Sequence, residues 1–214
     1  MSDNSRAALA PEYTALWVQC VPGTRPDEAP EPHDVNSQID SAIKTVLAGK
    51  VRYQAVEAKT GVPWWVVGIL HLMECNSKFT LHIHNGDPLT ARTVKVPAGR
   101  PAAGQPPFTW EFSAEDAMVW KQWDLKNVRR LEDGTPDWTL PTTLWRMEAW
   151  NGFGYRNKGV RTPYLWAGSN LEQPGRYVAD GVWDATKWSG QIGAAAVIKV
   201  LAARDLIQIQ AQPA

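Results

Sequence analysis

Helical spacing of apolar residues dominates the chain. In NSQIDSAIKTVLAG a capping Asn36 is followed by Ile39, Ile43, Val46 and Leu47 on one face, and Gly49 ends the run. YQAVEAKTG reads as the next helix, closed by Gly61, and Pro63 suits the first turn of another. That helix carries WWVVGILHLMECNSKF, Trp64 to Phe79, which is apolar almost without interruption until Glu74. A short first helix is expected near Glu12–Cys20. Residues 21–35, VPGTRPDEAPEPHDV, are rich in Pro and acids and read as a surface connector.

After Phe79 the period changes. FTLHIHNGDPLTARTVKVP places β-branched residues in short alternation around Asn85-Gly86-Asp87-Pro88, a strong turn sequence. A β-hairpin or three-stranded ribbon is predicted there, followed by an irregular Pro/Gly loop. Helical patterns resume with SAEDAMVWKQWDLKN, capped by Ser113, then with PTTLWRMEAW from Pro141 and with the small-residue segment SGQIGAAAVIKVLAARD. The pattern predicts an α+β fold, mainly helical, with a small sheet inserted after the helix that carries the Trp64 to Phe79 stretch. One domain over residues 1–214 is expected, with the N-terminal helix and connector in 1–35 and the core in 36–206.

Composition narrows the function. The 214 residues carry 22 basic and 22 acidic side chains, so no basic stripe for nucleic acid is expected. No apolar run approaches the roughly 20 residues that span a bilayer, so no membrane insertion is expected. The N-terminus MSDNSRAALAPEY shows no charged region followed by an apolar one, hence no signal peptide pattern. Cys20 and Cys75 are too few and too far apart for a disulfide framework, and both are expected as buried thiols. The twelve Trp are the one anomaly, since tryptophans beside a cleft form platforms for sugar rings.

Glu74 is the sharpest candidate for chemistry. A carboxyl ending an apolar helix is either paired with an Arg or a backbone donor, or has a raised pKa suited to proton donation. Cleavage of a glycosidic bond needs such an acid and, opposite it, a carboxylate or a held water. Asp87 in the predicted turn should stay ionised, and Thr93, six residues later, could help place water. Their plainer roles are turn former and strand residue. Glu148 reads as a second cleft carboxylate, a partner for an Arg such as Arg146, or a surface charge. Trp150, Tyr155, Tyr164 and Trp166 cluster near Asn151 and fit either core packing or sugar stacking. His82 and His84 alternate on one strand face. With His71 or Glu74 they suggest a zinc site, though an ordinary polar face explains them as well, and no metal is expected.

The order Glu74, Asp87, Thr93, with a helix ending in Glu and a small sheet after it, resembles the phage branch of the lysozyme superfamily. TGVPWWVVGILHLMECNSKFTLHIHNGDPLTARTVKVPAGRP, PPFTWEFSAEDAM and LWRMEAWNGFGYR are similar to a group of phage and bacterial endolysin-like "lysozyme family" proteins, over roughly residues 52–200. EAWNG also resembles the Ala-Tyr-Asn-x-Gly motif of lytic transglycosylases, with Trp150 in place of Tyr. Those enzymes have Glu-Ser where this chain has Glu74-Cys75, and their Gly-Leu-Met-Gln segment is missing here.

The resemblance implies a lysozyme-like fold and a glycoside hydrolase that cuts the β-1,4 bond between N-acetylmuramic acid and N-acetylglucosamine in bacterial peptidoglycan. Glu74 would be the general acid, with Asp87 and Thr93 handling water. His84, Asn85, Glu148, Trp150, Asn151, Tyr155, Tyr164 and Trp166 would line the substrate site, Asn151 holding a hydroxyl or N-acetyl group. No cofactor and a monomeric state are expected. The protein would act on the cell wall, reaching it through holin-mediated release. The rival expectations are a lytic transglycosylase, in which the sugar's own hydroxyl attacks and one Glu suffices, a non-catalytic sugar-binding module, and a zinc peptidase.

Overall fold

The computed structural model describes residues 3–179 and 181–212. The helices are α1 (Arg6–Gln19), α2 (Asn36–Ala48), α3 (Lys50–Thr60), α4 (Trp64–Cys75), α5 (Trp110–Trp120), α6 (Leu140–Asn151), α7 (Pro163–Trp166) and α8 (Ala194–Ala203), with a 3-10 turn over Phe153–Lys158. Two strands, β1 (Arg176–Ala179) and β2 (Val182–Asp184), pair antiparallel. The α+β class, mainly helical with one small sheet, is therefore observed. Among the described residues no helix is long and apolar enough to cross a membrane.

The chain forms two compact units, one of residues up to 43 and from 138 on, the other of residues 44–137, and α2 begins in the first and ends in the second. In the first unit α1 packs on α6, α6 on α7 and α7 on α8. Close approach of α7 and α8 depends on Gly193, where a Cβ would stand 2.4 Å from the Leu165 carbonyl oxygen. The Lys199 ammonium caps the end of α1 by donating to the carbonyls of Trp17 (2.6 Å) and Cys20 (2.7 Å), as a cation at a helix C-terminus should. In the second unit α3 packs on both α4 and α5. Tyr53, His71, Phe79 and Trp110 form an aromatic cluster there, with ring centroids 4.5–5.8 Å apart.

Several elements differ from the sequence expectation, each for a local reason. The segment after α4 is not a hairpin. It keeps one antiparallel bridge, Leu81 with Pro88, and continues as an irregular loop. Pro88 offers no N–H to a ladder. The N–H groups of Val94 and Lys95, which a third strand would need, donate instead to the Asp87 carboxylate. The sheet pairs 176–179 with 182–184; in sequence RYVA and VWD flank an Asp-Gly pair, a hairpin signal that the stronger Asn-Gly-Asp-Pro turn overshadows.

Helix α1 starts seven residues before Tyr13, at Arg6, with the Ser5 hydroxyl accepting from the Ala8 N–H. Pro11 is accommodated inside it. Thr109, not Ser113, caps α5. Ser113 is fully buried and its hydroxyl lies 2.6 Å from His82 Nδ1. Nor is the 21–35 stretch a plain connector. It is tied to the later part of its own unit by the Pro22–Ser169 bridge, and it buries Arg25 against Glu172.

Candidate active site

Helix α4 runs from Pro63 at its N-cap to two consecutive left-handed residues, Asn76 (φ 50°) and Ser77 (φ 54°). Their N–H groups return to the carbonyls of Leu72 and His71 at 3.0 Å, which stops the helix abruptly. Every residue of α4 except Glu74 is buried. Glu74 is half-buried, so its carboxyl stands where an apolar helix meets solvent.

The chain then folds back on this helix end. The Cys75 thiol reaches the His82 carbonyl at 3.7 Å. Gly86, at φ 76°, faces the Glu74 carbonyl, and a Cβ there would stand 3.6 Å from that oxygen. Charge around Glu74 is felt by its neighbours. Burial, and after it the Glu74 carboxylate, push the Cys75 thiol up to about 12. Burial pulls the Lys121 ammonium below its ordinary value, against the opposing pull of Glu74. Lys121 lies at the end of α5, 4.7 Å from the centre of the exposed Trp120 ring. Sequence spacing gave no hint of Lys121, because only the packing of α5 beside α3 and α4 brings it to Glu74.

Asp87 and Thr93 are both buried and both committed to their own loop. Asp87 Oδ2 accepts from the N–H of Val94 (2.8 Å) and Lys95 (3.0 Å), and Oδ1 lies 3.4 Å from Lys95 Nζ. Burial pushes this carboxyl up, but the two amides and the ammonium outweigh it and hold it below the usual carboxylate range. The Thr93 hydroxyl donates to the Pro97 carbonyl and accepts from the Arg100 N–H at 2.9 Å. Asn85 closes the turn, its Oδ1 accepting from the Asp87 N–H at 3.1 Å and its amide donating to the Lys95 carbonyl at 3.0 Å.

His84 belongs to the same scaffold. Its Nε2 lies 3.0 Å from Asp116 Oδ2, and burial lowers its pKa in spite of that carboxylate. Asp116 also accepts from Arg100 Nε (2.8 Å) and the Ala102 N–H (3.1 Å), so one carboxylate ties three points of the loop to α5. His82 uses both ring nitrogens, with Ser113 Oγ at 2.6 Å and the Ala91 carbonyl at 2.8 Å. Among the described residues no three His, Cys, Asp or Glu side chains are arranged to hold a metal.

The remaining candidates belong to the first unit. Glu148 is 1% exposed, is paired with Arg156, and lines with Arg161 and Trp166 a depression of about 200 Å³. Arg156 Nη2 and the Tyr13 hydroxyl both donate to its Oε2, at 2.9 and 2.6 Å, and Arg156 extends to Glu12. Burial, and then the Glu148 charge, push the Tyr13 hydroxyl far up. Arg146 lies 4.1 Å from the Trp138 ring centre. Trp166 is a core residue, 1% exposed, and Trp150 is half-buried.

Asn151, Tyr155 and Tyr164 do come together, lining a depression of about 400 Å³ with Tyr177 and Arg176 of β1. Tyr155, Tyr177 and Trp183 pack edge to face beside it, with centroids 5.1–5.6 Å apart. Tyr177 and Trp183 entered no sequence motif, because their strand pairing sets their positions. No family model, curated protein or solved structure matches the chain.

Proposed function

We propose that the protein cleaves the glycan strands of bacterial peptidoglycan, with Glu74 as the proton donor. The observation that carries this is the position of Glu74 as the one side chain of α4 that is not buried, at the mouth of an otherwise apolar helix. In this reading the Glu74 carboxyl delivers a proton to the leaving oxygen. The loop at 82–100, pinned by Asp87, Thr93 and Asp116, folds back on the end of α4, where Gly86 faces the Glu74 backbone carbonyl. Within the first unit taken by itself, the Asn151, Tyr155 and Tyr164 depression offers flat rings and an amide suited to a sugar with an N-acetyl group.

One observation favours the transglycosylase outcome over hydrolysis. Both oxygens of the Asp87 carboxylate are engaged within its own loop, which leaves it poorly suited to activate water. In a transglycosylase the muramic acid's own hydroxyl attacks, and Glu74 alone suffices as acid and base. The test of the shared reading is the Glu74→Gln protein. It should fold as the wild type by circular dichroism and lose wall lysis by a factor on the order of 10² or more. Lysis at the wild-type rate by the folded variant overturns the assignment.

A further inference from the structure

The first unit holds a second groove, of about 740 Å³. Its floor is a buried ion pair. Arg25 Nε and Nη2 donate to Glu172 at 2.9 and 3.1 Å, and Arg25 Nη1 donates to the Pro30 carbonyl at 2.7 Å. Glu172 also accepts from the Gly168 N–H at 2.9 Å. The two charges neutralise each other, so the floor is fixed and presents no net charge.

The rims carry opposite charges on different segments. Arg176 begins β1, and Lys187 lies beside it, its carbonyl accepting from the Gly175 N–H at 2.8 Å. Among the described residues neither side chain forms an ion pair. Glu28 and Glu31 come from the 25–33 loop. A polyanion would meet repulsion from the acidic rim, and a simple cation from the basic rim. A ligand with separated carboxylate and amino groups satisfies both.

This groove shares Arg176 and Ser189 to Gln191 with the tyrosine-lined depression, so the two are lobes of one trough. We infer that the charged lobe binds the peptide stem of peptidoglycan, carboxylates toward Arg176 and Lys187 and an amino group toward Glu28 and Glu31, while the aromatic lobe takes the sugar. The identity of the peptide rests on the reading of the protein as a wall-cleaving enzyme. The enzyme would thereby prefer peptide-bearing strands to bare ones.

The experiment is calorimetric titration of the full chain with two probes, a synthetic stem tetrapeptide carrying a diamino acid and a peptide-free glycan oligomer. The tetrapeptide should bind saturably and more weakly as salt rises. The R176E/K187E protein, checked by circular dichroism, should bind it at least about tenfold more weakly, the scale of 1.4 kcal/mol. Binding of the peptide-free glycan should be unchanged in the single K187E protein, whose substitution lies outside the tyrosine-lined depression. The milder R176Q/K187Q pair gives the same readout if charge reversal disturbs folding. Absence of saturable peptide binding to the wild type, or equal binding by a folded variant, overturns the inference. Cleavage of bare glycan without peptide binding sinks this inference alone. Peptide binding without any cut glycan sinks the enzymatic reading and leaves the site standing.

Discussion

Glu74 and Asp87 are thirteen positions apart in sequence and have opposite circumstances. Glu74 is the half-buried end of a buried helix, whereas Asp87 is a buried carboxylate surrounded by donors. Asp87 is therefore expected to matter for stability before chemistry. Asp87→Ala leaves two amides without their acceptor and should cost about 1–3 kcal/mol, read by thermal or denaturant unfolding. Asp87→Asn keeps an oxygen and should cost less, with turnover per folded molecule close to normal. A hundredfold loss of turnover in a fully folded Asp87→Asn protein would restore the water-handling role. The pH dependence follows from its lowered pKa. The stabilisation is present above the ordinary value of 3.8 and is lost as pH falls through the lower folded value. Glu148 is likewise a buried carboxylate held by donors. Its pairing with Arg156 and Tyr13 makes Glu148→Gln a stability variant, expected to cost on the order of 3 kcal/mol and to lower the melting temperature.

At the scale of elements, α4 was the most legible part of the chain. Pro63 and an uninterrupted apolar run mark its start and body, and the structure ends it at Cys75, before the change of pattern after Phe79, through left-handed Asn76 and Ser77. Its neighbour loop was the least legible. Alternation at 79–97 looks like strand, but Asp87 and Thr93 take the backbone donors a strand would need, and side-chain competition of that kind leaves no periodic trace. The buried face of α4 also carries a pH-sensitive group. His71 is wholly buried among Tyr53, Phe79 and Trp110, its Nδ1 3.0 Å from the Tyr53 hydroxyl. Burial pulls its pKa down from 6.5 to about 4. The unfolded chain thus binds the proton more readily. Stability from this group is complete above pH 6.5 and declines as pH falls toward 4, by up to about 3 kcal/mol. Melting temperature should fall over that window, and His71→Gln should flatten the fall. An unchanged slope in that variant would assign the effect to other groups, His84 first.

For the whole molecule, the sequence supported the mainly helical class and placed most helices within a few residues, because helical periodicity survives in single segments. The candidate site was legible only in part. Glu74 and the cluster of Asn151, Tyr155 and Tyr164 carried local signals. Lys121, Asp116, Tyr177 and the charged rim at Arg176 and Lys187 depend on packing between distant segments and carried none. The commitment of both His82 nitrogens also bears on mechanism, since it leaves His82 no lone pair for zinc. Wall-lysing activity should accordingly survive exhaustive EDTA treatment, and loss restored by zinc would contradict the account. The most direct test of the central claim is mass spectrometry of purified sacculi digested by the wild type and by Glu74→Gln. The wild type should release fragments cut at the bond after muramic acid, with anhydro ends if the sugar's own hydroxyl attacks and reducing ends if water does, and Glu74→Gln should release neither. Free peptides from intact glycan strands, or the same fragments from both proteins, would contradict it.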